Sequence, residues 1–279
     1  MSDYYAVIGN PIAHSKSPWI HAEFSRQTGQ DMRYEAMLAP LDGFCAAVAN
    51  FHRQGGKGMN VTVPFKPEAY AISHRLTERA HAAQAVNTLT FADEEIHGDN
   101  TDGVGLIRDI LLNLEFSIAA KRVLLMGAGG AARGVVLPLL EHTPRLLMIA
   151  NRTRRKADEL RHQFSVHGNV ASGDYADLRG EKFDLVINAT SASLHGQLPA
   201  LPPGIFARES MAYDMMYGDG RSFFLQFALQ QGAGRLADGI GMLVEQAAES
   251  FFQWRGVRPA TEPIIEMLCP GRKSSSLPA

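Results

Sequence analysis

The segment from Lys121 to Lys156, KRVLLMGAGGAARGVVLPLLEHTPRLLMIANRTRRK, limits what this chain can fold into more than any other. Val123 to Met126 is the short apolar run expected of a strand covered on both faces. Gly127, Gly129 and Ala132 then follow at the spacing G-x-G-x-x-A, opening a predicted helix. The first glycine permits a tight turn, the second lets backbone approach a pyrophosphate, and the small third residue lets helix and strand pack closely. Ala128, Gly130 and Ala131 complete the turn and the helix start, whose free N–H groups form an anion site. Leu146 to Ala150 supplies the second strand, so the motif sits in the context that a dinucleotide site needs.

The loop after that second strand selects the cofactor. An NAD site carries a carboxylate roughly 20 residues beyond the glycines, for the ribose 2′-hydroxyl. Here the loop reads Asn151, Arg152, Thr153, Arg154, Arg155, Lys156. Guanidinium forks and a hydroxyl hold a 2′-phosphate, which a carboxylate would repel. A solvated basic helix start is the alternative, because Arg154 to Leu160 has helical character, but the flanking strands favour NADP. Pro138 lies inside the first predicted helix and is expected to kink it or shorten its bonding ladder.

With 279 residues the chain has room for one large or two medium domains. Hydrophobic residues make up 46% and charged ones 20%, and the net charge is −2, so nothing favours nucleic acid or a membrane surface as partner. No signal peptide is visible at the N-terminus, and no apolar run nears the roughly 18 residues of a membrane span. The chain reads as cytoplasmic. Two cysteines, Cys45 and Cys269, are too few for a disulfide or metal framework.

Ahead of the glycine motif, strands are predicted at Tyr4–Ile8, Tyr34–Leu38, Met59–Val63 and Val86–Phe91. Helices fall between them at Trp19–Thr28, Leu41–Phe51 and Glu68–His74, with a short segment at Thr77–Ala82. Gly55 to Gly58 looks like a flexible turn, and another falls around Asp93 to Glu95. The alternation implies an open, mainly parallel α/β sheet. Gly98 to Gly103 separates this half from a helix over Val104 to Leu114. Beyond the motif, further strands are predicted at Leu185–Asn188 and Met211–Asp214, and a long helix at Met242–Trp254 ends at Gly256. The tail from Gly271 looks unstructured.

Several polar residues sit where strands give way to loops. Lys66, between Phe65 and Pro67, is expected in extended geometry; a lone lysine is ordinarily a surface charge. Asp102 starts a helix, so an N-cap is its plainer reading. Ser15 and Ser17 stand ready to cap the helix at Pro18, the same terminus that could receive a carboxylate. Asn87 is either a buried amide or a hydroxyl ligand. His14, His97 and His195 have no spacing that suggests metal or a triad and read as loop histidines.

Taken together the loops say more. GNPIAHSKSP (9–18), NVTVPFK (60–66), AVNT (85–88), GDNTDGVG (98–105), GAGGAAR (127–133), NRT (151–153), NATS (188–191) and DGIGMLVEQA (238–247) occur in one order. They resemble the shikimate dehydrogenase family motif by motif. The resemblance implies reversible NADPH-dependent reduction of 3-dehydroshikimate to shikimate, on the route to chorismate and the aromatic amino acids. It implies two domains with a cleft between them that must close. A substrate domain would take residues 1–102 plus 240–279, and a Rossmann NADP-binding domain residues 103–239. By the same resemblance Ser15 and Ser17 bind the substrate carboxylate, while Thr62, Lys66, Asn87, Asp102 and Gln246 hold ring hydroxyls. Lys66 is the acid–base group with Asp102 orienting it, and Tyr217 contacts substrate. Gly127, Ala128, Gly129, Gly130 and Ala131 cradle the pyrophosphate, and Asn151, Arg152, Thr153, Arg154 and Arg155 the adenosine phosphate. Thr190, Met215, Gly239 and Met242 lie near the ribose and nicotinamide. Gly103, Gly105 and Gly239 are candidate hinges. No metal is required, and the protein would be a monomer or homodimer.

Two stretches depart from the family pattern. Ala192-Ser193 replaces Ser-Gly after NATS, and Gly218-Asp-Gly-Arg-Ser-Phe223 replaces a run ending Thr-Pro-Phe. Competing readings are a quinate/shikimate dehydrogenase using NAD or NADP, and a non-catalytic sensor of a shikimate-pathway ligand. The basic loop argues against NAD, and retention of Lys66 and Asp102 argues against the sensor.

Overall fold

The computed structural model describes residues 2–190, 199–218 and 220–271. Ser191, Ala192, Ser193, His195, Asp219 and the tail beyond Gly271 lie outside the described residues. The chain divides into two compact units, Met1–Gly105 with Leu243–Leu268, and Leu106–Met242 with Cys269–Ala279.

The first unit is built on a six-stranded sheet. Its strands are β1 (Asp3–Gly9), β2 (Met32–Leu38), β3 (Gly56–Val61), β4 (Arg75–Leu76), β5 (Thr88–Ala92) and β6 (Glu95–Asp99), in the spatial order β2-β1-β3-β5-β6-β4. Helices α1 (Ser17–Thr28) and α2 (Phe44–Arg53) make the crossovers that leave β1 parallel to β2 and β3. Short α3 (Lys66–Ile72) and α4 (Glu78–Ala83) follow, and α5 (Asp102–Arg108) starts just past β6. The expected turn at Asp93 is the tip of a hairpin, with Asp93 at φ 52°, and it makes β6 antiparallel to β5, which also runs antiparallel to β3. The sheet is therefore mixed, three of its five pairings being parallel. Gly98 and Asp99, expected in a linker, belong to β6.

Only Gly55 of the expected glycine turn is a turn residue, at φ 89°; Gly56 and Gly58 already belong to β3. They lie so close under Phe51 and Trp254 that a Cβ would meet those rings at 2.1 and 2.4 Å. One core cluster joins Ile8, Phe44, Phe51, Met59, Phe65 and Leu89. A second, on the other face, packs Ile20 and Phe24 of α1 against Val244, Ala248 and Phe251 and against Ile264.

The second unit holds six parallel strands. They are β7 (Arg122–Met126), β8 (Leu146–Ala150), β9 (Val170–Gly173), β10 (Phe183–Asn188), β11 (Phe206–Asp214) and β12 (Arg235–Ala237), ordered β12-β11-β10-β7-β8-β9. Helices α6 (Gly130–Glu141), α7 (Arg154–Phe164) and α8 (Phe223–Gln230) complete this Rossmann unit. The chain moves outward from β7 to β9, then returns to the other side of β7 and moves outward again. That reversal makes the β7 terminus the switch point at which such sheets bind ligands. Helix α6 continues three residues past Pro138, which lacks the N–H to reach Gly134. Helix α5 ends in a wider turn over Asp109–Asn113, where the Tyr213 hydroxyl donates to the buried Asp109 carboxylate at 2.6 Å. The chain closes with α9 (Ile240–Arg255) and α10 (Glu262–Leu268). Among the described residues no helix is long and apolar enough to cross a membrane.

Candidate active site

Core packing sets the position of Lys66. Phe65 is fully buried, stacked on Phe44 at 5.0 Å, and Ala69 one turn on is buried with it. Lys66 is consequently the first residue of α3, with its carbonyl accepting the Val86 N–H at 3.0 Å. This corrects the extended geometry expected from Pro67. At a helix start the missing proline N–H removes no bond, and the preference against helix before proline is overridden.

The Lys66 ammonium meets Asp102 Oδ2 at 2.6 Å, and the two side chains are 19% and 3% exposed. The N-cap reading of Asp102 does not hold. The Thr101 carbonyl accepts from the Gly105 N–H, and Asp102 is the first residue of α5, its carboxylate directed at other side chains. The second carboxylate oxygen accepts from Asn87 Nδ2 at 3.0 Å. That amide also donates towards Gln246 Oε1 on α9, at 3.1 Å. The ends of β5 and β6 fix Asn87, whose N–H donates to the Asp99 carbonyl at 3.0 Å and whose carbonyl accepts from Val61 at 2.8 Å. Lys66, Asn87, Asp102 and Gln246 thus form one hydrogen-bonded constellation within the first unit, collected from positions far apart in sequence. Thr62 lies just beyond β3, partly exposed, its N–H donating to the Ile8 carbonyl at 2.9 Å.

Ser17 is not an N-cap either. It is the first residue of α1, after Lys16, and its N–H donates to Ser15 Oγ at 3.3 Å. Both serines are partly exposed at the helix start. Behind Ser17 stands Tyr34, whose phenol burial pushes well above its usual range while the nearby Ser17 hydroxyl draws it down.

Below this constellation lies a charge cluster that no sequence pattern announced. Asp99 accepts from Arg79 Nε at 2.8 Å, from Thr77 at 2.5 Å and from Gln253, while Arg79 also pairs with Glu249 at 3.0 Å. Burial pushes the Asp99 carboxyl up, but hydrogen bonds from Arg79 outweigh it and hold the group below its usual range.

In the second unit the glycine motif has the shape the spacing requires. Gly127 has φ 109°, and a Cβ there would lie 3.1 Å from the Ala189 carbonyl oxygen. At Gly129 and Gly130 a Cβ would meet nothing within 4 Å, so open space lies over the first turn of α6, whose N-terminus has no side-chain cap. Ala128 and Ala132 are buried and Ala131 is exposed. Open space above uncapped N–H groups at a switch point suits a pyrophosphate. Asn151 follows β8, Thr190 follows β10 and Met215 follows β11, so all stand at carboxyl ends of parallel strands. Thr190 Oγ1 donates to Asn188 Oδ1 at 2.7 Å. Gly239 is buried so close to Met215 that a Cβ would be 2.3 Å from its carbonyl oxygen, and Met242 is 5% exposed in the first turn of α9. Tyr217, three residues past β11, is partly exposed.

The basic loop is less uniform than its composition suggests. Arg154 is paired with Asp177 at 2.9 Å and Arg155 with Glu159 at 2.9 Å. Arg152 and Thr153 are exposed, and the Thr153 hydroxyl makes no capping bond to α7. In the departing stretch after Tyr217, Ser222 caps α8 by accepting from the Leu225 N–H at 3.2 Å and donates to Asp214 at 2.5 Å.

Comparison with known proteins finds three family models along the chain. Residues 7–89 match the family described as Shikimate dehydrogenase substrate binding domain. Residues 111–196 match Shikimate / quinate 5-dehydrogenase, and 239–268 the Shikimate 5'-dehydrogenase C-terminal domain. The Shikimate dehydrogenase (NADP(+)) of Nitrosospira multiformis is 70% identical over 268 residues, covering 96% of this chain and 98% of that one. A crystal structure of an Ael1 enzyme from Pseudomonas putida superposes with TM-score 0.91 at 49% identity, covering 97% of this chain and 100% of the other. Shikimate 5-dehydrogenase from Thermus thermophilus, solved in complex with NADP(H) and shikimate, gives TM-score 0.85 at 29% identity over 95% and 97% of the two chains. Motifs, fold and relatives agree, and the chain belongs to the shikimate dehydrogenase family.

Proposed function

We propose that this protein reduces 3-dehydroshikimate to shikimate reversibly with NADPH, in the biosynthesis of chorismate and the aromatic amino acids. The observation that carries the reading is the Lys66–Asp102 contact of 2.6 Å, braced by Asn87 beside Gln246. Residues of the first unit take the substrate. Ser15 and Ser17 at the start of α1 hold its carboxylate, and Thr62, Asn87, Asp102 and Gln246 its hydroxyls; Tyr217 of the second unit is a further contact. The second unit takes NADP. Gly127 to Ala131 cradle the pyrophosphate, and Asn151, Arg152 and Thr153 receive the adenosine phosphate more readily than Arg154 and Arg155, which are already paired. Thr190, Met215, Gly239 and Met242 border the ribose and nicotinamide.

Bound NADPH supplies the hydride. As the substrate's carbonyl carbon accepts it, negative charge grows on the carbonyl oxygen, and the Lys66 ammonium transfers a proton to that oxygen. In the reverse direction Lys66 takes the hydroxyl proton. Asp102 accepts from Lys66 with one oxygen and from Asn87 with the other, so the Lys66 nitrogen is held in one place.

The test is reduction of NADP+ by purified protein with shikimate, with NAD+ and quinate as controls. Turnover confined to shikimate and NADP+ is expected. Equal use of quinate or NAD+ would move the protein to a quinate/shikimate dehydrogenase. Binding of both ligands without turnover would leave only a sensor.

A further inference from the structure

Behind Asn87 lies a buried polar cluster that touches neither Lys66 nor the carboxylate of Asp102. Asn87 Oδ1 accepts the Thr101 backbone N–H at 2.8 Å and the Thr88 hydroxyl at 2.9 Å. A backbone N–H can only donate, so the orientation of the amide is settled and its NH2 faces Asp102 and Gln246. Thr88 Oγ1 in turn accepts from Asn60 Nδ2 at 3.2 Å and lies 2.8 Å from Ser250 Oγ. Asn60 is oriented from its other end, where Tyr34 donates to its Oδ1 at 2.7 Å. Ser250 Oγ accepts from Asn60 at 3.0 Å and has the Gln246 carbonyl, at 3.1 Å, as a second acceptor besides Thr88. With Asn60 and Ser250 both donating to Thr88 Oγ1, the Thr88 proton is drawn to Asn87 Oδ1.

Packing alone does not call for this cluster. Thr88, Thr101 and Ser250 are each at most 1% exposed, beside apolar Leu89, Ala247 and Phe251. Valine and alanine would fill the same space without needing partners. A fully satisfied buried network instead fixes one arrangement of its members.

The geometry points to Thr88 as a positioning residue for the acid–base pair: through Asn87 Oδ1 it holds the Asn87 amide against Asp102, with Asn60 and Ser250 setting the direction of its proton. The inference rests on the proposed role of Lys66 and Asp102. It adds a chain of donors, Tyr34 to Asn60 to Thr88 to Asn87 to Asp102, that keeps the carboxylate aligned under Lys66 during turnover.

Thr88→Val keeps the shape and removes the hydroxyl. Asn60 and Ser250 retain other partners, namely each other and the Asn87 and Gln246 carbonyls. Steady-state kinetics of Thr88→Val, Thr88→Ser and Ser250→Ala are to be measured beside wild type and Lys66→Ala. Thr88→Val is expected to lower kcat about tenfold with the KM for NADP+ unchanged, and Thr88→Ser to restore kcat to within about twofold, a tenfold rate change being 1.36 kcal/mol. Ser250→Ala is expected to lower kcat by about threefold, because it removes only the outer partner. A folded Thr88→Val with wild-type kcat and shikimate KM overturns the inference, as does a Thr88→Ser that is no better than Val. If Thr88→Val does not fold, an unchanged kcat in Ser250→Ala overturns it. An inactive wild type would sink the dehydrogenase reading itself. An active wild type, with Lys66→Ala inactive and Thr88→Val unaffected, would sink only the positioning role.

Discussion

His21 offers a sensitive probe of the wall behind the substrate site. It lies on α1, fully buried, with both ring nitrogens lacking a hydrogen-bond partner. Its ring stacks on Tyr34 at 4.1 Å and 8°, and meets Phe24 edge-on at 5.9 Å. Burial pushes its pKa down from 6.5 to about 3, with the Asn60 side chain opposing the shift. The folded state therefore holds the ring neutral where the unfolded chain would protonate it. This contribution is fully present above pH 6.5 and is lost as pH falls from 6.5 towards 3. With those two values, linkage gives a loss of about 2 kcal/mol between pH 7 and pH 5. His21→Phe keeps the stacking and has no proton to take up, so that slope should vanish. Both tryptophans, Trp19 and Trp254, belong to the first unit. Urea denaturation followed by tryptophan fluorescence at the two pH values therefore reports the unit that contains His21. Wild type should lose about 2 kcal/mol more than the variant over this interval. Equal losses would refute the claim that His21 is buried and neutral.

Other consequences follow from the same geometry. Arg152→Ala should raise the KM for NADP+ about tenfold, the worth of a charge-assisted hydrogen bond, and leave the KM for NAD+ alone. Arg154→Ala and Arg155→Ala, whose guanidinium groups already face Asp177 and Glu159, should do less; equal effects at all three would reject the assignment to Arg152. Gly239→Ala places a Cβ 2.3 Å from the Met215 carbonyl oxygen and should destabilise by about 1–3 kcal/mol, seen as a lower thermal midpoint. Arg79→Met leaves Asp99 and Glu249 without their shared cation and should cost about 3–5 kcal/mol; a stability loss near zero would show the cluster to be inessential.

What could be read from the sequence was what is local in it. The strand–glycine–helix unit at 123–141 and the strand at Leu146–Ala150 are contiguous signals, and the structure has them where the spacing put them. Edge strands of two to four residues, β4, β9 and β12, are too short to show a period and were not expected. The turn at Asp93 was read, but the returning strand β6 was not, because its Gly98 and Asp99 look like the start of a linker. At Lys66 a true local preference gave the wrong geometry, because burial of Phe65 and Ala69 pulls the residue into helix. The constellation around Asp102 was legible only through likeness to a family, since no spacing links residues 66, 87, 102 and 246. Thr88 and Ser250 were missed for the same reason, being 162 positions apart and joined only by the fold. A polar residue interrupting the apolar face of α9 was the one available hint.

Lys66 as the proton donor held by Asp102 is the central claim, and its most direct test joins single-turnover kinetics with calorimetric shikimate binding in Lys66→Ala. Loss of the acid–base group should slow turnover by about 10²–10⁴-fold. Shikimate binding should weaken by no more than about tenfold, because the remaining contacts persist. Turnover within a few-fold of wild type would contradict the assignment, whatever happens to binding.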